Sequence, residues 1–147
     1  MAFPSISQLN GMPFFQTAVQ QQNMDPSFAF YLASKNSELH LGGTNPIFFT
    51  GPIESHPLSS NTGFWQIGKT QINVNGNRSV ISGFQTIIDS GTTIMYGPSK
   101  DVANVYSHVP GSRLLDDQNG FYGFPCENVP NVAFNWGGKD WAITPQK

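Results

Sequence analysis

The stretch IIDSGTT, residues 87–93, decides the fold of this chain. Two β-branched apolar residues predict the end of a strand, and the glycine and hydroxyl residues behind the acid predict a turn. We call residues 89–92 the acid turn. Its amides and hydroxyls can donate hydrogen bonds to the carboxylate of Asp89, and Gly91 allows a tight backbone path beside it. We therefore expect a rigidly held, ionised aspartate at the mouth of a strand, and the motif occurs once.

The composition indicates a single domain of turn-rich β structure. Only 11% of the 147 residues are charged, against about 25% in typical soluble domains, while 15 Gly, 11 Pro and 13% aromatic residues are present. The net charge of −2, without a run of Lys or Arg, predicts neither a nucleic-acid nor an anionic membrane partner. No apolar stretch approaches the ~18 residues of a membrane span, and the first residues lack the pattern of a signal peptide.

Hydrophobic periodicity predicts strands over most of the chain and two short helices. The first helix lies within residues 13–24, and the second opens at Pro98 and stops before Pro110. The dipeptide Asn75-Gly76 is the strongest hairpin signal. The predicted strands cover residues 27–34, 37–43, 64–74, 79–81, 85–96 with a break at the acid turn, 132–136 and 140–143.

Cysteine and histidine residues predict no metal or cofactor site. Cys126 is the single cysteine, so it is either a buried small apolar residue or half of a disulfide whose other half lies outside this sequence. His40, His56 and His108 are too dispersed to form a ligand cluster or a histidine-based nucleophile system.

Several segments carry a resemblance to a known family when they are taken in order. They are FAFYLAS (28–34), ELHLGG (38–43), FTGP (49–52), WQIG (65–68), TIIDSGTTIMYGP (86–98) and GFPCENVPNVAFNWGGKDWAITP (123–145). In this order they resemble the C-terminal lobe of pepsin-like aspartic proteases, incomplete at both ends. The resemblance implies a mostly β lobe, a partial β-barrel with two short helices. Residues 1–24 then correspond to a connector from the N-terminal lobe, and residues 25–147 to a partial C-terminal lobe.

The resemblance assigns roles to all four residues of the acid turn. Asp89 matches one of two catalytic aspartates, and Thr92 matches the hydroxyl that hydrogen-bonds its outer oxygen. Ser90 matches a hydroxyl that reaches the other lobe, and the amide of Gly91 faces the carboxylates. The implied chemistry is hydrolysis of a peptide or protein substrate by two carboxylates that share one proton.

Four further residues are candidates of a weaker kind. Tyr31 resembles an aromatic residue that lines the substrate cleft, and Ile87 and Thr93 flank the acid where subsite walls lie. Each of these three could equally be a core residue. Asn77 begins an Asn-Arg-Ser sequon and is a candidate glycosylation site. The resemblance also implies an extracellular or a vacuolar or lysosomal location.

The second catalytic aspartate is missing from the sequence. The other aspartates, at positions 25, 101, 116, 117 and 140, lack the apolar-apolar-Asp-[Ser/Thr]-Gly setting. We therefore expect a fragment of an aspartic endopeptidase that is inactive as a monomer. Its partner would be the missing N-terminal lobe or a second copy that supplies another Asp89. We also expect an unpaired sheet edge and an exposed apolar surface near residues 87–88.

A non-catalytic function is the alternative. A degenerate or truncated relative of these proteases could act as a binding module. Trp65, Trp136 and Trp141 would then be candidates for stacking on carbohydrate, although packing inside the protein is the commoner use of tryptophan.

Overall fold

The computed structural model describes residues 3–8, 11–21 and 24–143. The chain forms two compact units, Met1–Ser55 with Thr62–Phe64 and His56–Asn61 with Trp65–Lys147. Strands dominate and two short α-helices accompany them, so the predicted mostly β class is confirmed. Within the described ranges, no helix is long and apolar enough to cross a membrane. The division at residue 24 stays a prediction.

The first unit is built on one helix and one hairpin, both of which were predicted. Helix α1 is Phe14–Gln20, and strands β1 (Phe28–Tyr31) and β2 (Glu38–Leu41) pair antiparallel. Short 3-10 helices cover Pro4–Ile6 and Pro46–Phe48. Phe15 is buried on the inner face of α1 and meets the ring of Phe28 edge-on, with the ring centroids 5.1 Å apart. This contact holds the helix on the hairpin.

The second unit is built on a four-stranded antiparallel sheet. Its strands are β3 (Gln66–Val74), β4 (Asn77–Ile87), β7 (Val132–Asn135) and β8 (Asp140–Ile143), in the order β4-β3-β7-β8. The β3–β4 turn has positive φ at Asn75 and Gly76, 50° and 83°, as a two-residue hairpin turn requires. The hairpin signal in the sequence is therefore confirmed.

Strand β4 differs from the prediction in its length. The sequence indicated a short strand over 79–81 and a separate one from residue 85, whereas one strand runs through both. Ser79 and Gly83 have positive φ, 53° and 78°, and the β3–β4 register shifts three times. These irregularities break the alternation of apolar residues on which the sequence prediction depended.

Helix α2 and a second hairpin complete the unit. Helix α2 is Ser99–Ser107, as predicted, and ends before Pro110. Strands β5 (Arg113–Asp116) and β6 (Phe121–Gly123) form a hairpin that was expected to be loop. Its turn is held by Asp116, whose Oδ1 accepts from the Gln118 amide at 2.9 Å.

The core of the second unit is small and lies against the sheet. Val74 and Thr70 of β3 are fully buried, and Ala133 of β7 is nearly so. The hydroxyls of Thr70 and Thr86 hydrogen-bond each other, and Trp136 Nε1 donates to Thr86 Oγ1 at 3.3 Å. This chain of hydrogen bonds fixes the last part of β4, which leads into the acid turn.

Two predictions about single segments are wrong. Residues 94–96 were expected to resume the strand after the acid turn, but they form no strand, and the exposed fractions of Ile94, Met95 and Tyr96 are 50%, 70% and 77%. A strand needs a neighbour to hydrogen-bond its backbone, and no described strand lies beside them. Cys126 is exposed and has a free thiol, so it is not a buried apolar residue. Its pairing with a cysteine elsewhere stays a prediction.

Candidate active site

The end of strand β4 positions the acid turn. Pairing with the neighbouring chain continues one residue beyond the strand, because the Ile88 amide donates to the Trp65 carbonyl at 2.9 Å. The next residue is Asp89, which is exposed. The sequence prediction of an acid at the mouth of a strand is therefore correct in its backbone placement.

Both oxygens of the Asp89 carboxylate accept a hydrogen bond from within the acid turn. The Gly91 amide donates to Oδ1 at 2.8 Å, and Thr92 Oγ1 donates to Oδ2 at 2.5 Å. These bonds favour the charged form, so the Thr92 hydroxyl first, and the Gly91 amide next, lower the pKa of Asp89 below its ordinary value. The arrangement can hold an ionised carboxylate in a fixed orientation.

Glycine is needed at position 91 for space. A Cβ at this residue would lie 3.2 Å from Asp89 Oδ1, closer than such contacts normally come. Gly91 does not have positive φ, so its conformational freedom is not what the turn uses. The tight backbone path expected from the sequence is thus a close approach of backbone to carboxylate.

Two hydroxyls beside the acid point to no partner within the described ranges. Ser90 and Thr93 are both exposed, and neither makes a hydrogen bond to a described residue. The turn therefore separates its hydroxyls into two kinds. Thr92 is used internally on Asp89, whereas Ser90 and Thr93 remain available on the surface.

Comparison with known proteins identifies the lineage of this arrangement. The family model of eukaryotic aspartyl proteases matches residues 1–147. The chain belongs to the pepsin-like aspartic proteases. The family resemblance drawn from the order of its motifs is therefore confirmed.

Individual pepsin-like relatives match nearly the whole chain. An aspartic protease of Phaffia rhodozyma is 38% identical over 149 residues, covering 97% of this chain and 36% of the relative. Cathepsin D of Bos taurus is 33% identical, covering 99% and 39%. Pregnancy-associated glycoprotein 2 of Bos taurus is 32% identical, covering 99% and 40%. The chain thus spans about two fifths of the length of these relatives.

The other described aspartates of this pepsin-like chain serve local structure. Asp101 lies in the first turn of α2, where a carboxylate complements the helix dipole. The side-chain amide of Asn119 donates to Asp116 at 2.7 Å, and that of Asn135 donates to Asp140 at 2.7 Å. None of the three stands in a turn like that of Asp89.

Not all predicted substrate-binding residues are near the acid in the chain. Ile87 and Thr93 flank the acid turn directly, and Ile87 is 50% exposed. Tyr31 belongs to the first unit, where its ring stacks on Phe48 with the centroids 4.2 Å apart. Its part in a substrate cleft stays a prediction.

Sequence reasoning missed a small cavity beside Tyr31. The cavity has a volume of about 90 Å³ and is lined by Tyr31, Phe48, Glu38, His40 and neighbouring residues. Glu38 Oε1 lies 3.3 Å from His40 Nδ1. The alternation Glu-Leu-His within β2 was the available signal, because it places Glu38 and His40 on one face of the strand. In the part of the chain that the structure describes, no cluster of three or more His, Cys, Asp or Glu residues could hold a metal ion.

Proposed function

We propose that this chain supplies one catalytic aspartate, Asp89, to an aspartic endopeptidase that cleaves peptides or proteins. The observation that carries the proposal is the pair of hydrogen bonds that the Asp89 carboxylate accepts from Gly91 and Thr92. An acid whose pKa is lowered in this way is the ionised member of a carboxylate pair, while its partner holds the shared proton.

The roles of the two carboxylates follow from this difference. The ionised carboxylate of Asp89 would accept a proton from the attacking water. The second, protonated carboxylate would donate its hydrogen to the carbonyl oxygen of the scissile bond, where negative charge develops. Ser90, whose hydroxyl has no partner among the described residues, would reach the polypeptide that carries the second acid.

The second carboxylate would come from outside this chain's own acid turn. No other aspartate in the sequence follows two apolar residues and precedes Ser-Gly or Thr-Gly. It would be supplied by an N-terminal lobe or by the Asp89 of a second copy, and the monomer of this chain would be inactive. A lobe is favoured, because the relatives contain more than twice the length that this chain matches.

Complementation tests this proposal. The monomeric chain is assayed at acidic pH on an unfolded protein, alone and mixed with the part of the Phaffia rhodozyma protease that this chain does not match. We expect cleavage only in the mixture, and its loss in Asp89→Asn. Asp116→Asn is the matched control, since Asp116 is also an exposed turn carboxylate with a lowered pKa. Cleavage by the monomer alone that disappears in Asp89→Asn would refute the proposal.

A carbohydrate-binding role has less support than the enzymatic one. Trp136 packs on Phe134 and donates to Thr86, so it serves the sheet. Trp141 is 42% exposed, but Lys139 Nζ lies 3.8 Å from its ring centroid and covers it. A glycan-binding screen with Trp141→Ala as control would reveal such a function.

Modification at Asn77 belongs to the same proposal, because an extracellular or vacuolar or lysosomal protease passes through the secretory pathway. Asn77 is exposed at the start of β4, beside the hairpin turn. Expression in a secretory host should give a glycan that is removed by an N-glycosidase and is absent from Asn77→Gln. An unglycosylated secreted product would exclude this site.

A further inference from the structure

Strand β4 is one edge of the four-stranded sheet, and its two halves differ in how that edge is covered. Near the start of the strand, the side-chain amide of Asn104 in α2 donates to the Val80 carbonyl at 2.8 Å. The second half, residues 84–88, has no such cover among the described residues. We call residues 84–88 the open edge.

The alternation of an antiparallel pair identifies the backbone groups that the open edge presents. The Ile88 amide points toward the neighbouring chain, because it donates to Trp65. Residues along a strand direct their backbone groups alternately to one side and the other. Gln85 and Ile87 therefore direct their N–H and C=O groups away from β3.

The open edge carries none of the features that prevent strand pairing. Natural edge strands are protected by charged residues, proline or a covering element. Asp89 is the single charged residue between positions 79 and 99, and the first proline after residue 57 is Pro98. Large apolar side chains on and beyond the edge are about half exposed or more: Ile87, Ile88, Ile94, Met95 and Tyr96.

We propose that the open edge pairs with the open edge of a second copy of this chain, antiparallel across a two-fold axis at Thr86. In this register Gln85 of one copy lies opposite Ile87 of the other. Each such pair has both sets of backbone groups directed at the partner, so two pairs exchange four hydrogen bonds. The two sheets become one sheet of eight strands with an isologous interface.

Charge is compatible with this register. Asp89 lies opposite Gly83 of the second copy, which has no side chain to oppose it. The two Asp89 residues are separated by six positions along the strands, about 20 Å at ~3.3 Å per residue. They therefore neither repel each other nor share a proton. The dimer is independent of the proposed catalytic pair and supplies no peptidase activity.

Sedimentation velocity over a concentration series tests the interface, with a reductant present because Cys126 is exposed. Ile87→Lys places a charge on the open edge, and Ile94→Lys places the same charge on an equally exposed residue outside any strand. We expect dimers of the unmodified chain and of Ile94→Lys, and dimerisation at least tenfold weaker in Ile87→Lys. A chain that stays monomeric at all concentrations, or equal weakening by both variants, overturns the proposal.

Hydrogen exchange on the unmodified chain tests the register without a substitution. The amides of Gln85 and Ile87 should exchange more slowly as concentration rises, while that of Ile88, already bonded to Trp65, should not change. Protection confined to strand β8, the other edge of the sheet, would overturn the proposal. Binding of a different apolar polypeptide at residues 84–88, with no self-association, would do the same. Neither measurement depends on peptidase activity.

Discussion

Thr92 donates its hydroxyl to one oxygen of Asp89, three residues earlier in the chain, while the Gly91 amide occupies the other oxygen. The acid is thus held from both sides by its own turn. The Thr92 bond is the largest cause of the lowered pKa of Asp89.

Removing this hydroxyl should raise the pKa of Asp89 toward the usual aspartate value of about 3.9. Thr92→Val keeps the shape of the side chain and deletes the donor. The carboxyl carbon of Asp89, followed by NMR titration, should show the increase. Thr93→Val is the control, because Thr93 has no bond to Asp89. An unchanged pKa in Thr92→Val would show that the hydrogen bond is not formed in solution.

Acid should destabilise the chain partly through Asp116, whose pKa is lowered by the side-chain amide of Asn119 first and by backbone amides next. A carboxyl with a lowered folded pKa stabilises the fold above its unfolded value of about 3.9, and this contribution disappears as pH falls through the folded pKa. The decrease in urea midpoint between pH 6 and pH 2.5 should be smaller in Asp116→Asn. Asp117→Asn should show the full decrease, and an identical decrease in both would contradict this account.

The buried hydroxyl of Thr70 should contribute to stability. Thr70→Val preserves the shape but removes its hydrogen bond with Thr86, so the free energy of unfolding should fall by about 0.5–1.5 kcal/mol. Urea unfolding followed by tryptophan fluorescence measures the change. Thr93→Val, at an exposed hydroxyl, should stay within about 0.5 kcal/mol of the unmodified chain. Equal effects would argue that the Thr70 bond contributes nothing.

The thiol of Cys126 should react in the folded chain, because it is exposed. A thiol reagent that gives a coloured product should label one cysteine per chain in native buffer, at a rate within a few-fold of that in urea. Mild oxidation should give a disulfide-linked dimer that reductant reverses and that Cys126→Ser does not form. Labelling that requires unfolding would mean that the residue is buried after all.

Short-range signals allowed much of this fold to be predicted. Asn75-Gly76 fixed the β3–β4 hairpin because its left-handed conformations suit few other residue pairs. The hairpin around Asp116 was missed, although Asn119-Gly120 carries the same signal, because the flanking strands are only four and three residues long. Residues 94–96 were predicted wrongly because a strand depends on a neighbour that the local sequence does not reveal. In the site, Asp89, Gly91 and Thr92 were predictable since their contacts are local, whereas the Trp136–Thr86 bond spans 50 residues.

The strand order β4-β3-β7-β8 also has a consequence for how the chain is made. Strand β3 has one partner two residues away across a tight turn, and that hairpin can form in microseconds. Its other partner, β7, leaves the ribosome only after 45 further residues beyond the end of β4, which at ~5–20 residues per second takes roughly 2–9 s. During synthesis, β3 therefore spends seconds with one side unsatisfied. The nascent chain is a substrate for chaperones for that interval.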